Sequence, residues 1–306
     1  MAKMQLLNSS KPISNFKIRG QVLLFLLPAF TAIIFVMAYP MIKGLDISFT
    51  NRLLTYDKYS YIGFQNFLAM FSDNFFWYSL VNSIKLTFWA AAGTLLLGFA
   101  LAVLLNHQFV FRDFFRGALF IPWVMPSMVT ALMFRWLYND FYGYFNYMLT
   151  KYHLIAQPVN LLADPRLAWA GVLLPIIWCN YPFVMLVFLA ALQSIDKSLY
   201  EAAHIDGANR LQAFWFVTLP GLIPAFVIVI ILEIIWTFAS FDLVFLLTRG
   251  GPADSTLTLS LYIYKQAFEA KLLGYASALG AALFLILFFV TMMYFSFVRR
   301  TGFYEK

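Results

Sequence analysis

Charged residues are scarce in this sequence, where they make up 11% of the 306 residues against roughly 25% in ordinary soluble domains. Hydrophobic residues make up 62%, and a soluble globular protein would have to expose much of that apolar surface to water. Disorder is excluded as well, because disordered chains combine low hydrophobicity with high charge. The composition therefore predicts a polytopic membrane protein.

Cysteine and histidine are almost absent too. The single Cys179 excludes an intramolecular disulfide and a cysteine metal cluster, and the three histidines are too dispersed for a metal site. The sequence contains no Gly-x-x-x-x-Gly-Lys-Ser/Thr phosphate loop; Gly93 and Gly98 have the spacing, but Phe99 follows. We therefore expect no catalytic residue, metal or cofactor on this chain. The net charge of +7 is interpreted as basic residues flanking membrane spans, and no nucleic-acid partner is expected.

Six apolar stretches are long enough to cross a bilayer, which takes about 20 residues each. They are residues 22–42, 83–105, 118–138, 167–192, 222–247 and 272–298. Runs of this length predict helices and not the alternating ten-residue strands of an outer-membrane barrel. The expected fold is all-α, with six transmembrane helices.

The distribution of basic residues predicts the orientation of the spans. Lys3, Lys11, Lys17, Arg19, Arg299, Arg300 and Lys306 lie at the two ends of the chain. Basic residues are denser on the segments that would then be cytoplasmic, so both termini are predicted inside. The first stretch has no small-x-small cleavage site and is interpreted as an uncleaved helix. The outer loops would be residues 43–82, 139–166 and 248–271, with Phe75, Phe76, Trp77 and Tyr78 in an interfacial belt.

The loop between the fourth and fifth spans, residues 193–220, is too polar to cross the membrane and has its own helical pattern. Ser198 is a candidate helix cap, with Glu201 completing a capping box. Gly207 supplies a turn, and a second amphipathic helix leads to Pro220, which marks the next span. Such a helix-turn-helix suits docking into a groove on a partner. A membrane-surface helix with no partner remains an alternative.

Several motifs give this chain a specific resemblance. Glu201-Ala202-Ala203-x-x-Asp206-Gly207-Ala208 resembles the EAA loop of permease subunits in binding-protein-dependent ABC importers. Ile121-Pro122-x-x-x-Pro126-Ser127, Tyr181-Pro182 and Leu247-Thr248-x-Gly250-Gly251-Pro252 are similar to the carbohydrate-uptake, MalF-like branch. The resemblance extends from about residue 20 to the end of the chain. Phe216 departs from the pattern, since members of the family often carry a basic residue there.

The resemblance implies a mechanism and a set of partners. The EAA loop would dock in a cleft of a cytoplasmic ATPase subunit, where Glu201 would contact a basic residue. The ATPase-coupling residues are predicted to be Glu201, Ala202, Ala203, Asp206, Gly207 and Ala208. ATP and Mg²⁺ would be bound by two partner ABC ATPase subunits. A second, MalG-like permease subunit, an extracytoplasmic solute-binding protein and membrane lipid complete the expected partners, with a homodimer left open.

The domain organisation follows from the same resemblance. Residues 1–21 and 299–306 would be cytoplasmic tails, and residues 22–298 the permease domain with its coupling loop at 193–220. The chain would lie in the bacterial inner membrane. It would form half of the translocation pathway for a sugar, oligosaccharide or glycoside delivered by the binding protein.

Polar residues inside membrane spans are costly and therefore indicate function. Glu233, Thr237 and Ser240 are spaced to share one helical face. Hydroxyl groups of a sugar pair with carboxylates and amides, and aromatic faces cover its C–H surface. Together with the positions that the resemblance implies, the predicted substrate-binding residues are Trp123, Ser127, Cys179, Asn180, Glu233, Trp236, Thr237, Ser240 and Asp242. Each of them has packing or helix–helix contact as an alternative role. The carboxylates mildly disfavour an anionic substrate, and a neutral saccharide or glycoside is predicted. Arg135 and Lys85 could offset the carboxylates, so a charged sugar derivative stays open.

Two other functions remain open at this point. An ion-coupled secondary transporter would use Glu233 and Asp242 as ion ligands, and its uptake would follow an ion gradient without ATP. A membrane-embedded transferase is suggested by residues 206–210, which are loosely similar to a phospholipid alcohol-transferase motif. That chemistry needs further aspartates close downstream to hold metal ions, and the next carboxylate is Glu233.

Overall fold

A computed structural model describes residues 15–300 of the chain, with side chains at residues 24–299. Its α-helices are α1 (Asn15–Ile33), α2 (Tyr39–Ser48), α3 (Gln65–Phe71), α4 (Asn74–Asn106), α5 (Arg112–Val124), α6 (Ser127–Leu137), α7 (Tyr144–Lys151), α8 (Ala168–Ser194), α9 (Lys197–Ile205), α10 (Arg210–Ala213), α11 (Leu219–Phe238), α12 (Asp242–Thr248), α13 (Leu259–Tyr264) and α14 (Leu273–Arg300). Within these residues, strand-like pairing is limited to an isolated bridge between Thr50 and Tyr61. The predicted all-α fold is confirmed.

Within the described residues, five segments are long and apolar enough to cross a membrane. They are Leu24–Ser48, Asn74–Asn106, Ala168–Ser194, Arg210–Phe238 and Leu273–Arg299. A sixth crossing exists only if α5 and α6 count as one span, because these two helices are bent by 98° relative to each other. The prediction of a continuous helix over residues 118–138 is therefore wrong. Pro126 causes the break, since a proline disfavours helical geometry at the residue before it, and Met125 has extended backbone angles.

The fifth span also ends earlier than predicted. The helix stops at Phe238, and a short irregular segment separates it from α12. Ser240 therefore lies outside the helix and does not share a helical face with Glu233. The second span is longer than predicted, because the carboxylate of Asp73 accepts a hydrogen bond from the Phe75 amide and caps α4.

Residues 193–220 join the fifth span without a helix break. A π-helical turn, Phe214–Thr218, connects α10 to α11. Pro220 lacks an amide donor, and its ring clashes with the carbonyl four residues earlier in a regular α-helix. The wider turn before Pro220 accommodates this residue, so the proline lies inside a continuous helix and does not mark its start. A second π-helical turn, Ile34–Ala38, precedes Pro40 in the first span in the same way.

Small residues bring α4 and α8 into close contact. A Cβ atom added at Gly98 would lie 2.7 Å from Cγ1 of Val184 and 3.0 Å from the backbone nitrogen of Met185. One added at Gly93 would lie 2.4 Å from Cδ1 of Ile177. Small residues at an interface let two membrane helices approach closely, and the resulting van der Waals contacts favour their association.

We expect Gly98→Ala to destabilise the bundle by about 1–3 kcal/mol, because the added methyl group meets backbone atoms of α8 that cannot move aside cheaply. Thermal unfolding of the purified protein in detergent measures the effect. Gly280→Ala is the matched control, since a Cβ there meets nothing within 4 Å and alanine is the better helix former. Equal losses of stability in the two variants would contradict this packing.

One carboxylate joins three elements at the end of the bundle where α4 begins. Oδ2 of Asp73 accepts hydrogen bonds from the hydroxyls of Tyr262 and Tyr275, at 2.5 and 2.6 Å. Burial raises the pKa of Asp73, but these hydrogen bonds and those from backbone amides outweigh it, and the net pKa lies below the usual carboxyl value. Nearby, the Asn82 amide donates to the Ser255 and Leu257 carbonyls. These contacts attach the segment after α12 to the start of α4.

Two arginines mark the opposite end of α4. Nε of Arg112 donates to the Leu105 carbonyl at 2.6 Å. With its amide oxygen turned towards them, Gln193 accepts from Arg112 at 3.0 Å and from Arg116 at 2.7 Å. The connection between α4 and α5 therefore lies at the same end as residues 193–220.

The orientation of the chain stays a prediction. Lys3, Lys11 and Lys306 lie outside the described residues, and Lys17, Arg19 and Arg300 lie outside the described side chains. The two predicted tails, residues 1–21 and 299–306, are covered only at their helical edges. The grouping of Arg112 and Arg116 at the end of the bundle that carries residues 193–220 agrees with a positively charged cytoplasmic side.

Candidate translocation cavity

Two helix breaks and a long helix enclose a polar cavity of ≈ 390 Å³. Trp123 near the end of α5 and Ser127 at the start of α6 flank the first break, and α8 contributes Cys179 and Asn180. The break between α11 and α12 contributes Ser240, and Asp242 is the first residue of α12. Irregular backbone inside a membrane domain is tolerated where it lines a cavity. The breaks thus place main-chain and side-chain polar groups at one site.

The structure brings most of the predicted substrate-binding residues together. Eight of the nine line this cavity, namely Trp123, Ser127, Cys179, Asn180, Trp236, Thr237, Ser240 and Asp242. They come from three predicted spans that are far apart in sequence. Their shared cavity makes a common function in ligand contact a stronger hypothesis than eight separate packing roles.

Glu233 is the residue that the structure places differently. It is fully buried in α11 and does not line the cavity. Its Oε2 accepts a hydrogen bond from the Asn180 amide nitrogen at 3.4 Å, and its Oε1 has no hydrogen-bond partner among the described residues. The carboxylate therefore lies behind the cavity wall and contacts a residue that does line it.

Trp123 and Trp236 line one side of the cavity, and the ring of Phe183 packs against both without lining it. The rings of Trp123 and Phe183 are stacked, with centroids 5.1 Å apart and planes 21° apart. Trp236 lies against both, with centroid distances of 5.5 Å to Trp123 and 5.1 Å to Phe183. Phe183 was not predicted to support these tryptophans, because nothing distinguishes it among 35 phenylalanines except its position after Pro182.

Hydroxyl and thiol groups form the polar side. Thr237 is buried, and its hydroxyl has no partner among the described residues. The Cys179 thiol donates to the Thr130 hydroxyl with 3.7 Å between sulfur and oxygen. The Ser240 carbonyl accepts from the Ser260 hydroxyl at 2.9 Å. The cavity combines aromatic faces with hydroxyl, amide and carboxylate groups, which is the composition that recognises a polyhydroxylated ligand.

The predicted coupling residues lie on a separate exposed surface. The helix α9 has no buried residue, and Leu199 and Ile205 on it are 53% and 85% exposed. Asp196, and not Ser198, caps this helix by accepting from the Ser198 amide at 2.9 Å, so the predicted capping box at Ser198 and Glu201 is wrong. The same amide contact lowers the pKa of Asp196.

The turn after α9 has the geometry that the sequence predicts. Gly207 has φ +79°, in the left-handed region that side-chain-bearing residues disfavour. A capping box follows, in which Asn209 and Gln212 exchange hydrogen bonds at 2.8 and 2.9 Å. The Tyr200 hydroxyl lies 2.9 Å from that of Thr218, which joins α9 to the base of the fifth span. The two helices and their turn are therefore held in one arrangement.

Comparison with known protein families decides the class of this molecule. Residues 94–302 match the family described as the binding-protein-dependent transport system inner membrane component. The chain belongs to this family. It is a multi-pass permease subunit of an ABC importer in the inner membrane, and it works with a binding protein and an ABC ATPase partner. The prediction of a transport subunit whose ATPase lies on a separate chain is confirmed.

The similarity to individual relatives extends over almost the whole chain. This chain is 36% identical over 277 residues to the sulfoquinovosyl glycerol transport system permease protein SmoG of Agrobacterium fabrum, and the match covers 90% of this chain and 89% of that protein. It is 31% identical over 271 residues to the trehalose/maltose transport system permease protein MalF of Thermococcus litoralis, covering 89% and 91%. These names agree with the resemblance that the motifs indicated.

A solved structure shares the fold of the permease. It is a bacterial alginate ABC transporter in complex with an alginate pentasaccharide-bound periplasmic protein, and one of its chains superposes with a TM-score of 0.82. The identity is 23%, and the match covers 94% of the permease and 97% of that chain. This chain therefore shares the fold of that transporter chain.

Proposed function

We propose that this permease forms half of the translocation pathway for a neutral saccharide or glycoside. The observation that carries the proposal is the shared cavity, where polar and aromatic residues from three spans meet. Trp123 and Trp236 would cover the apolar face of a sugar ring. Asn180, Ser127, Ser240 and Asp242 would exchange hydrogen bonds with its hydroxyls. Relatives named for trehalose, maltose and sulfoquinovosyl glycerol transport support the saccharide class.

We propose further that residues 193–220 couple the permease to its ATPase. The helix α9 would enter a cleft of the ATPase subunit, with Glu201, Ala202 and Ala203 at the contact and Glu201 facing a basic residue. Asp206, Gly207 and Ala208 would form the turn inside that cleft. Exposure of Leu199 and Ile205 in the single chain supports this proposal, since apolar side chains left open to water favour a partner surface.

The proposal includes an orientation and a set of subunits. Both termini and residues 193–220 would be cytoplasmic, and the binding protein would deliver its sugar to the opposite face. A second, MalG-like permease subunit would complete the pathway, and two ATPase subunits would bind ATP and Mg²⁺. This chain would hold no cofactor of its own.

The test uses Cys179, which is the only cysteine of the chain and lines the cavity. Calorimetric screening of the cognate binding protein against a sugar panel first identifies its ligand. The complete importer in lipid nanodiscs is then treated with a small methanethiosulfonate reagent, and mass spectrometry of this chain follows the labelling of Cys179. We expect the sugar to slow labelling, because an occupied cavity excludes the reagent. Labelling that no panel sugar slows would contradict a saccharide site in this cavity.

A further inference from the structure

A second polar pocket lies beyond the cavity, at the far end of the same helices. Its volume is ≈ 410 Å³, and Arg135, Trp136, Tyr138, Asp140, Tyr142 and Asn160 are among its lining residues. Both cavities are at the lower end of the range of about 300–1,000 Å³ that small-molecule sites occupy. None of these six residues belongs to the site predicted from the sequence or proposed above.

The two charged residues of this pocket are unpaired. Neither Arg135 nor Asp140 forms an ion pair or a side-chain hydrogen bond with another described side chain. One supplies several N–H donors and the other a carboxylate acceptor. Because the charges are opposite and not satisfied by each other, the pocket offers both kinds of hydrogen-bonding group without favouring a charged ligand.

Neutral polar groups add to this set. The Asn160 side-chain oxygen accepts from the Ala163 amide at 3.1 Å, which leaves its amide nitrogen without a partner among the described residues. Tyr138 is 3% exposed, and its hydroxyl has no hydrogen-bond partner in the described part of the chain. A buried hydroxyl with no partner is costly and indicates that something outside the chain, water or a ligand, satisfies it.

Aromatic faces accompany the polar groups. Trp136 and Tyr142 both line the pocket, with ring centroids 6.4 Å apart and planes tilted by 42°. Trp136 is 57% exposed and Tyr142 64% exposed, so their faces are open to a ligand. Exposed aromatic rings next to donors and acceptors reproduce the chemistry of the cavity that Asn180 and Trp236 line, which we call the inner cavity; the present pocket is the outer pocket.

The position of the pocket relates it to the inner cavity. Both use α6, where Ser127 lines the inner cavity and Arg135 the outer pocket. Eight residues of helix separate them, which is about 12 Å. Both also use α12, through Leu243 in the inner cavity and Leu247 in the outer pocket. In the orientation proposed above, the outer pocket lies on the side that faces the binding protein.

We infer that this outer pocket is a second saccharide subsite, which binds one neutral sugar unit between the binding protein and the inner cavity. Arg135 and Asp140 exchange hydrogen bonds with the sugar hydroxyls, and Trp136 and Tyr142 contact the ring faces. The inference rests on the proposed function and adds to it a second binding site for the substrate. One sugar unit would bind in the inner cavity and one in the outer pocket.

The test measures protection of an introduced cysteine in the complete importer in nanodiscs, without binding protein. Ala163 lines the outer pocket and is exposed, so Ala163→Cys in a Cys179→Ser background places the reporting cysteine at that pocket. Ala163 also lines a neighbouring pocket formed by residues 157–166, so substitutions at Arg135 and Asp140, which line only the outer pocket of the two, are needed to assign the protection. Maltose, trehalose and glucuronate are the probes. We expect the neutral sugars to slow methanethiosulfonate labelling at position 163 at least about threefold. At a sugar concentration that fills about two-thirds of the sites, only about one third of the cysteines stay free to react. Glucuronate should give no greater protection than the neutral sugars.

Substitutions in the pocket connect the protection to its residues. In the Ala163→Cys, Cys179→Ser protein, Arg135→Gln or Asp140→Asn should abolish protection at position 163. In the native chain, which keeps Cys179 and Ala163, the same substitutions should leave protection of Cys179 intact. That result also shows that the variants fold. Lys58→Gln removes an exposed charge that lines neither cavity and should change neither result.

The outcomes separate the two proposals. Protection of Cys179 without protection at position 163 would overturn the outer subsite and leave the proposed function standing. Protection at 163 that survives both Arg135→Gln and Asp140→Asn, or that only glucuronate produces, would also overturn it. No protection at either position by any probe or by the sugar that the binding protein retains would contradict both proposals.

Discussion

Gly207→Val is expected to lower ATP-driven uptake about 5- to 30-fold. Gly207 has φ +79°, and a side chain in the left-handed region costs about 1–2 kcal/mol, which is a factor of about 5–30 in the population of the required turn. A β-branched residue is least suited to this conformation. The turn orients α9 relative to α10, and we propose that this arrangement docks into the ATPase. Uptake of labelled sugar into proteoliposomes measures the loss.

The control at this position separates backbone strain from loss of a contact. Asparagine adopts positive φ far more readily than valine, and a Cβ at position 207 meets nothing within 4 Å. Gly207→Asn should therefore retain most of the uptake, although it adds a larger side chain. The Val variant should still reach the membrane, and sugar should still slow the labelling of its Cys179. Equal activity of the Val and Asn variants would show that the turn geometry is not what coupling requires.

The second large effect is expected at Glu233. Glu233→Leu removes the acceptor of the Asn180 amide, and leaving a buried polar group without its partner costs about 1–3 kcal/mol. Asn180 lines the cavity, so losing its fixed orientation should lower kcat/KM for uptake about 10- to 100-fold. The loss should fall mainly on KM, since the carboxylate orients Asn180, which we propose contacts the ligand, and does not itself line the cavity.

Glu233→Gln tests the same contact with less disturbance. Its amide oxygen still accepts from Asn180 when it faces that residue, so we expect a smaller loss of kcat/KM, below about fivefold. Assembly with the partner subunits should be unchanged in both variants, as judged by copurification. A Gln variant as impaired as the Leu variant would show that the negative charge, and not hydrogen bonding to Asn180, is what matters at this position.

The spans could be predicted from sequence because lipid imposes a length and a composition on them. Their interruptions could not, since Pro126 breaks the third span whereas Pro182 and Pro220 lie inside helices. Whether a proline bends, breaks or is absorbed depends on the packing around it and on neighbouring polar groups that satisfy the freed carbonyls. A window of hydropathy carries neither kind of information.

The candidate site, like the spans, could be predicted from the sequence only in part. Eight residues of the cavity were predicted because polar and aromatic side chains in spans are conspicuous, and the family resemblance aligned them. Ser240 reaches the cavity from a break and not from the helical face that its spacing suggested. Glu233 lies behind the cavity lining and contacts Asn180. Residue spacing predicts the direction of a side chain around an ideal helix, but it does not predict whether that side chain reaches the cavity. Arg135 and Asp140 come together through the fold of the segment after α6, which no short-range pattern describes.

Uptake energetics test the central claim most directly. The complete importer is reconstituted in proteoliposomes with the binding protein and its labelled sugar on one side and ATP on the ATPase side. We expect uptake to require both ATP and the binding protein, and to continue when ionophores collapse every ion gradient. Uptake that persists without ATP and follows an ion gradient would contradict the account and favour a secondary transporter, with Glu233 and Asp242 as ion ligands.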